Sequence, residues 1–212
     1  MKEIHFFDHD QTIYGHLISP VDPKAWVVFA HGSGSSRKSR RNNFVASELA
    51  KRGFGCLLFD LLTEDEDKSY ENRFDIDLLT HRLLLATAWL RNSEFYHTVP
   101  IAFFGASTGS ACALLAASKI QDSIPLYALI SRGGRPDLAG EENLKKVNIP
   151  VLLIVGSKDE EVMQLNEKAC ESLNNAQLVP IPGAHHLFEE LGALEKVTGI
   201  VGDWLVEHLP HT

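Results

Sequence analysis

The 212-residue chain has no apolar stretch near the roughly 18 residues that a membrane span requires. Its first ten residues also lack the apolar core of a secretory signal. Cysteine is scarce, since the chain has only three, Cys56, Cys112 and Cys170, widely spaced and without a CxxC motif. An odd number of dispersed cysteines is typical of free thiols in a reducing compartment. We therefore expect a soluble, cytoplasmic protein without a membrane partner.

Basic residues are also fewer than acidic residues. The chain has 20 Lys and Arg against 28 Asp and Glu, a formal net charge of −8. An acidic surface repels phosphate groups, so no nucleic-acid partner is expected. Apart from a pair near the C-terminus, most of the ten histidines fall at strand, helix or terminal positions typical of surface residues. Neither a metal ion nor any other cofactor is predicted.

Apolar runs of strand length alternate with helical patterns along the chain. The predicted strands are 25–30, 55–60, 99–105, 126–131, 150–156 and 176–180, and the predicted helices are 44–51, 75–91, 107–119, 162–173 and 193–208. Continuous apolar strands that alternate with helices indicate an α/β fold with a mostly parallel sheet and helices on both faces. Residues 4–7 and 12–19 predict an antiparallel hairpin at the sheet edge. We expect a single domain, 1–212, without a sizeable lid insertion.

The segment Gly105-Ala106-Ser107-Thr108-Gly109 has the pattern G-x-S-x-G between a predicted strand and a predicted helix. A serine at such a sharp turn is lifted clear of the sheet, and only very small residues fit two positions before and after it. The helix that follows presents free N–H groups, which favour developing negative charge. Ser107 is therefore the candidate nucleophile. The alternative is an N-capping serine without a chemical role.

A serine hydroxyl needs a base, and in this type of site the chain order is serine, acid, histidine. Asp159 is the first carboxylate after the strand 150–156, although it could instead only cap the next helix. After the last predicted strand come His185 and His186, which cannot both face the serine. We choose His186 as the base, with His185 as the alternative. The three residues predict attack on a carbonyl through an acyl-serine intermediate.

A tetrahedral oxyanion needs hydrogen-bond donors that are already in place. The backbone N–H groups of Thr108 and Ser33 are the candidates, because Thr108 follows the nucleophile and Ser33 follows the strand 25–30. The same loop, 32–39, differs by one residue from a phosphate-binding P-loop, and Asp60 could then hold Mg²⁺. Arg37 stands where that pattern needs glycine. A nucleotide-binding protein is therefore only a remote alternative.

Several motifs carry a resemblance to a known family. They are HGSGSSR, DLLTEDED, FDIDLL, GASTGSA, SRGGRPDLAG, VGSKDEEV and GAHHLFEE, within residues 25–208. The chain resembles the dienelactone hydrolase-related branch of the α/β-hydrolase superfamily, including small hydrolases that also occur joined to phosphoribosyltransferase-like domains. The resemblance implies an eight-stranded sheet whose second strand is antiparallel, and it favours His186 over His185. Dienelactone hydrolases use cysteine where this chain has Ser107, which favours generic ester chemistry.

Arg132 and Arg135 follow a predicted strand and should lie on the active-site side of the sheet. Either could bind a substrate carboxylate, or each could form a structural ion pair with the acidic residues of segment 64–67. Without a lid the pocket should be shallow, which suits small esters or lactones, some of them carrying a carboxylate. A catalytically weak ligand-binding protein with the same fold is the second hypothesis.

Overall fold

The computed structural model describes residues 1–120 and 124–210. Its strands are β1 (Lys2–Asp8), β2 (Gln11–Ile18), β3 (Ala25–Ala30), β4 (Phe54–Phe59), β5 (Ile101–Ala106), β6 (Leu126–Arg132), β7 (Val151–Gly156) and β8 (Ala176–Ile181). In the part of the chain described, they form one eight-stranded sheet in the order β1-β2-β4-β3-β5-β6-β7-β8. Strands β3 to β8 pair in parallel, whereas β1 with β2 and β2 with β4 are antiparallel. The predicted fold class, including the edge hairpin, is confirmed.

Helices cover both faces of the sheet. They are α1 (Arg40–Lys51), α2 (Ile76–Arg91), α3 (Thr108–Ile120), α4 (Glu141–Leu144), α5 (Glu160–Ser172) and α6 (Ala193–Glu207). Side chains of α2, α3 and α5 pack in one apolar cluster, and side chains of α1 and α6 pack in another. Strand β3 shows why its apolar run is continuous: Val28 joins the first cluster, while Val27 and Phe29 join the second. Both faces of a central strand are buried, so both need apolar residues.

The largest difference from the predicted boundaries is at the start of helix α1. Helix α1 begins at Arg40 rather than at residue 44, because the Ser39 hydroxyl accepts a hydrogen bond from the Asn42 N–H at 3.3 Å and caps the first turn. Between β6 and β7 lie only a 3-10 turn at Pro136–Ala139 and the one-turn helix α4. Within the described ranges, no helix combines the length and apolar character needed to cross a bilayer.

Candidate active site

Ser107 lies at a sharp turn between β5 and α3. Its φ is +53°, a left-handed conformation that is strained for a residue with a side chain. A Cβ at Gly105 would collide with the Ser110 backbone, and one at Gly109 would collide with the Ala30 carbonyl oxygen. Both glycines are therefore required by close backbone contacts, as the sequence pattern predicted. The turn places the Ser107 side chain at the N-terminus of a 13-residue helix.

Asp159 and His186 are joined across two loops at the carboxyl ends of β7 and β8. The distance between His186 Nδ1 and Asp159 Oδ2 is 2.6 Å. Asp159 occupies the N-cap position of α5, but its side chain makes no capping hydrogen bond. The carboxylate accepts the Nδ1 proton, which leaves the lone pair of the second ring nitrogen, Nε2, available to act as a base. Asp159 thus orients a histidine instead of capping the helix.

His185 has a different partner. Its Nδ1 lies 2.5 Å from Glu190 Oε1, which also accepts the His185 backbone N–H at 3.0 Å. The His185 hydrogen bond is the main cause that lowers the pKa of Glu190 below its ordinary value. The His185 side chain is 63% exposed, against 37% for His186. The two adjacent histidines are therefore held by two separate carboxylates.

The segment after β6 connects the serine and the histidine. The Ser107 N–H donates to the Arg132 carbonyl at 3.1 Å, and the Arg135 N–H donates to the Ser107 carbonyl at 3.2 Å. Between these two arginines, a Cβ on Gly133 would lie 3.5 Å from His186 Nδ1. The imidazole is therefore next to the segment that holds the Ser107 backbone. Among the described residues no hydrogen bond joins the Ser107 hydroxyl to His186; in ligand-free sites such bonds are often long.

The loop after β3 approaches the nucleophile closely. A Cβ on Gly32 would lie 3.1 Å from Ser107 Cβ. In the described part of the chain, the N–H groups of Ser33 and Thr108 have no backbone acceptor outside regular elements, and Thr108 is the first residue of α3, where a helix leaves its N–H groups free. These two predicted donors therefore remain available. The Thr108 hydroxyl is buried and unpartnered.

His31 holds this loop, a role that the sequence analysis did not assign. The buried ring accepts the Leu61 N–H on Nε2 at 3.0 Å, so its proton is on Nδ1, which donates to the Gly32 carbonyl at 2.9 Å. Burial lowers the pKa of His31 and favours this neutral form. His31 thus connects the end of β4 to the loop that carries Ser33. The sequence signal that could have identified this role is a histidine directly after a predicted buried strand.

Asp60, which could have held Mg²⁺ in a phosphate-binding loop, pairs with Arg37 instead. The Arg37 N–H donates to Asp60 Oδ1 at 2.8 Å, and the Arg37 guanidinium pairs with Oδ2 of the same carboxylate. Asp60 therefore anchors the loop through Arg37, and its carboxylate is already paired. The feature that suggested an Mg²⁺-binding acid is a structural ion pair.

The two candidate substrate-binding arginines differ in their partners. Arg135 makes a forked ion pair with Asp137, with Nε and Nη2 donating to the two carboxylate oxygens at 2.9 and 2.8 Å. Arg132 is only 7% exposed and has no side-chain hydrogen bond or ion pair with any residue in the described ranges. The acidic segment does not supply its partner: Glu66 pairs with Arg82, and Asp67 pairs with Arg73.

The described residues contain no group of three or more His, Cys, Asp or Glu side chains arranged to hold a metal ion. His5 and His9 are four residues apart, a spacing that brings two ligands together on a helix. They lie instead on β1 and in the turn after it.

Ser107, Asp159 and His186 all follow the carboxyl ends of parallel strands, the edge where ligands bind in such sheets.

Comparison with protein families gives one match that covers most of the chain. The family model described as "Alpha/beta hydrolase domain" matches residues 23–198. A Mycobacterium tuberculosis protein whose name assigns it provisionally to the phosphoribosyl transferases is 48% identical over 198 residues. That alignment covers 93% of this chain but 44% of the relative. The chain therefore spans less than half the length of this curated relative.

Solved structures show the same architecture over nearly the whole chain. The crystal structure of a dienelactone hydrolase from Anabaena variabilis has a TM-score of 0.92 and 42% identity, and the match covers 99% of this chain and 98% of that one. Est1E from Butyrivibrio proteoclasticus has a TM-score of 0.82 at 19% identity, with 97% and 98% covered. At that identity the second similarity shows the fold alone.

Proposed function

Because this chain belongs to the α/β-hydrolase superfamily, in the branch that contains a dienelactone hydrolase, we propose that it is a serine hydrolase of small esters or lactones. The family supports a hydrolase in general, and the proposal adds the serine nucleophile and the ester substrate. One observation carries it: the His186–Asp159 hydrogen bond of 2.6 Å lies next to the segment that holds the strained Ser107 turn.

In the proposed reaction His186 Nε2 takes the Ser107 proton while Ser107 Oγ attacks the ester carbonyl carbon. The negative charge that develops on the carbonyl oxygen is stabilised by the N–H groups of Ser33 and Thr108. His186 then protonates the leaving alkoxide, and an acyl-serine remains. Water activated by the same histidine breaks the acyl-oxygen bond and releases the acid. Asp159 keeps the His186 proton on Nδ1 and stabilises the imidazolium form.

The size of the substrate follows from what covers the site. Between β6 and β7 the chain has only a 3-10 turn and the one-turn helix α4. The pocket between the Ser33 loop and Thr108 is small, about 10 Å³, which is room for roughly one water molecule, and it is partly open to solvent. An open site of this kind suits a small acyl group better than a long chain.

A fluorophosphonate probe tests the nucleophile. We expect the folded wild-type protein to be labelled on Ser107, and Ser107→Ala to remain unlabelled while keeping the same unfolding temperature to within a few degrees. A panel of small p-nitrophenyl esters and lactones should be hydrolysed by the wild type and not by Ser107→Ala. A folded wild-type protein that is neither labelled nor active would contradict the proposal and favour a ligand-binding role.

A further inference from the structure

Segment 132–135, which begins at the end of β6, contacts both the serine and the histidine of the candidate active site. The carbonyl of its first residue accepts the Ser107 N–H at 3.1 Å, and the N–H of its last residue donates to the Ser107 carbonyl at 3.2 Å. Between them, a Cβ on Gly133 would lie 3.5 Å from His186 Nδ1. The path of this segment therefore sets the position of the Ser107 backbone relative to the His186 ring.

The backbone of this segment is tightly confined. Gly133 has a φ of +51°, in the left-handed region that favours glycine, and its N–H donates to the Ile154 carbonyl of β7 at 2.7 Å. A Cβ on Gly134 would collide with the hydroxyl oxygens of Ser110 and Ser131. These two buried hydroxyls are hydrogen-bonded to each other at 2.6 Å. A small displacement of the segment would therefore disturb several close contacts around the Ser107 turn.

Asn166, a fully buried residue of α5, holds the segment through its side-chain amide. Its Nδ2 donates to the Gly134 carbonyl at 2.9 Å and to the Val162 carbonyl at 2.7 Å. In the described ranges no other side chain hydrogen-bonds the backbone of segment 132–135. Asp159 is the N-cap residue of the same helix. The amide thus links the helix that follows the candidate acid to the segment beside the serine and the histidine.

Stability alone does not account for an amide at this position. Asn166 Oδ1 is enclosed and has no hydrogen-bond partner among the described residues. An enclosed acceptor without a donor destabilises the folded state. An amide nitrogen carries two hydrogens and can donate to two carbonyls at once, which a hydroxyl with one hydrogen cannot do. The unpaired oxygen is therefore a consequence of holding two backbone carbonyls, one of them in segment 132–135.

We propose that Asn166 is a positioning residue of the candidate active site. Its bond to the Gly134 carbonyl fixes segment 132–135 and, through that backbone, the placement of the Ser107 hydroxyl relative to the His186 ring. The inference rests on the proposed hydrolase function, since the distance between these two side chains matters for proton transfer. A displacement of reacting groups by a fraction of an ångström is enough to lower kcat strongly.

Two substitutions separate the bond to the segment from the bond within the helix. Asn166→Thr is close in size, and a threonine hydroxyl in a helix donates to the carbonyl four residues before it, so the Val162 bond is kept and the Gly134 bond is lost. Asn166→Leu loses both bonds. Asn143→Leu is the matched control, because the Asn143 amide donates at 2.8 Å to the carbonyl of Ala139, also four residues before it and outside segment 132–135.

Hydrolysis of p-nitrophenyl acetate by the folded variants measures the effect on catalysis. We expect both Asn166 variants to lower kcat by about 10- to 100-fold while KM changes less than about threefold. Fluorophosphonate labelling of Ser107 should slow by a similar factor, whereas Asn143→Leu should keep both rates near those of the wild type. Wild-type kcat in Asn166→Thr would overturn the proposal, because the Gly134 bond would then be dispensable. A rise in KM alone, or an equal loss of kcat in Asn143→Leu, would overturn it too.

Hydrogen exchange followed by NMR tests the positioning without catalysis. In the wild type the side-chain N–H hydrogens of Asn166 should be protected, and rapid exchange of both would overturn the proposal. In Asn166→Thr the backbone N–H groups of Ser107 and Arg135 should exchange about tenfold faster relative to those of β3, and in Asn143→Leu they should not. Unchanged exchange in Asn166→Thr would overturn the proposal. A wild type that is inactive on every ester but shows this difference in exchange would contradict the hydrolase function alone.

Discussion

His185 and His186 are adjacent in the chain, yet each is paired with a different carboxylate. His186 contacts the partly buried Asp159 beside the segment that holds Ser107, whereas the mostly exposed His185 contacts Glu190 on its own loop. The two pairs have nearly the same distance between nitrogen and oxygen, 2.5 and 2.6 Å. Chemical type and distance therefore do not distinguish the proposed catalytic pair. What distinguishes it is that the His186 ring lies beside Gly133, in the segment whose backbone hydrogen-bonds Ser107.

The largest expected difference comes from replacing each histidine in turn. We expect His186→Gln to lower kcat by about 10⁵- to 10⁶-fold, because Ser107 then has no base. His185→Gln should change kcat less than about threefold, since its ring is bound to Glu190. Steady-state hydrolysis of p-nitrophenyl acetate measures both. Similar losses of kcat for the two variants would contradict the assignment of His186, and not His185, as the base.

The carboxylates offer a second matched pair. Asp159→Asn should lower kcat by about 10⁴-fold, because an amide favours the wrong imidazole tautomer. Glu190→Gln removes the corresponding partner of His185 and should leave kcat within about threefold. If Glu190→Gln were the more damaging change, the roles of the two pairs would be reversed.

His31 adds a third histidine, which positions backbone instead of transferring protons. His31→Ala removes the bridge between Leu61 and Gly32, so the Ser33 N–H is held less firmly. Loss of one oxyanion donor costs roughly 10²- to 10³-fold, and a displaced donor should cost less, about 10- to 100-fold in kcat with KM little changed. His16→Gln is the control, a buried histidine on β2. A change in KM alone would contradict this role.

The smallest expected effect concerns stability and pH. Because the hydrogen bond from His185 lowers the pKa of Glu190, the pair stabilises the folded state above the ordinary glutamate pKa of 4.5. That contribution is lost as the pH falls through the lowered value. The unfolding temperature of Glu190→Gln should therefore lie slightly below that of the wild type at pH 6, and the difference should shrink as the pH is lowered. A difference that grows in acid would have the wrong sign.

Much of the site could be predicted because it depends on local chain geometry. The two glycines around Ser107 predict a turn so tight that a Cβ on either would collide with backbone atoms. The apolar runs on both sides of the turn predict the strand and the helix. Asn166 and His31 were not assigned, because their environments are set by residues far away in the chain. Whether Arg132 and Arg135 bind a substrate or form ion pairs depends on which side chains lie next to them. Residue spacing in the sequence does not specify those neighbours.

By itself the sequence determined the order of strands and helices, the parallel sheet and the residue at the sharp turn, because hydrophobic periodicity and steric limits on glycine act over a few residues. Only the tertiary structure decided which carboxylate faces which base and which arginine lacks a partner. Hydrogen bonds and ion pairs form between loops that are far apart in the chain, so the spacing of residues in the sequence does not predict them. Asp159 and His186 are 27 residues apart in the chain, and the parallel pairing of β7 with β8 brings them within 2.6 Å.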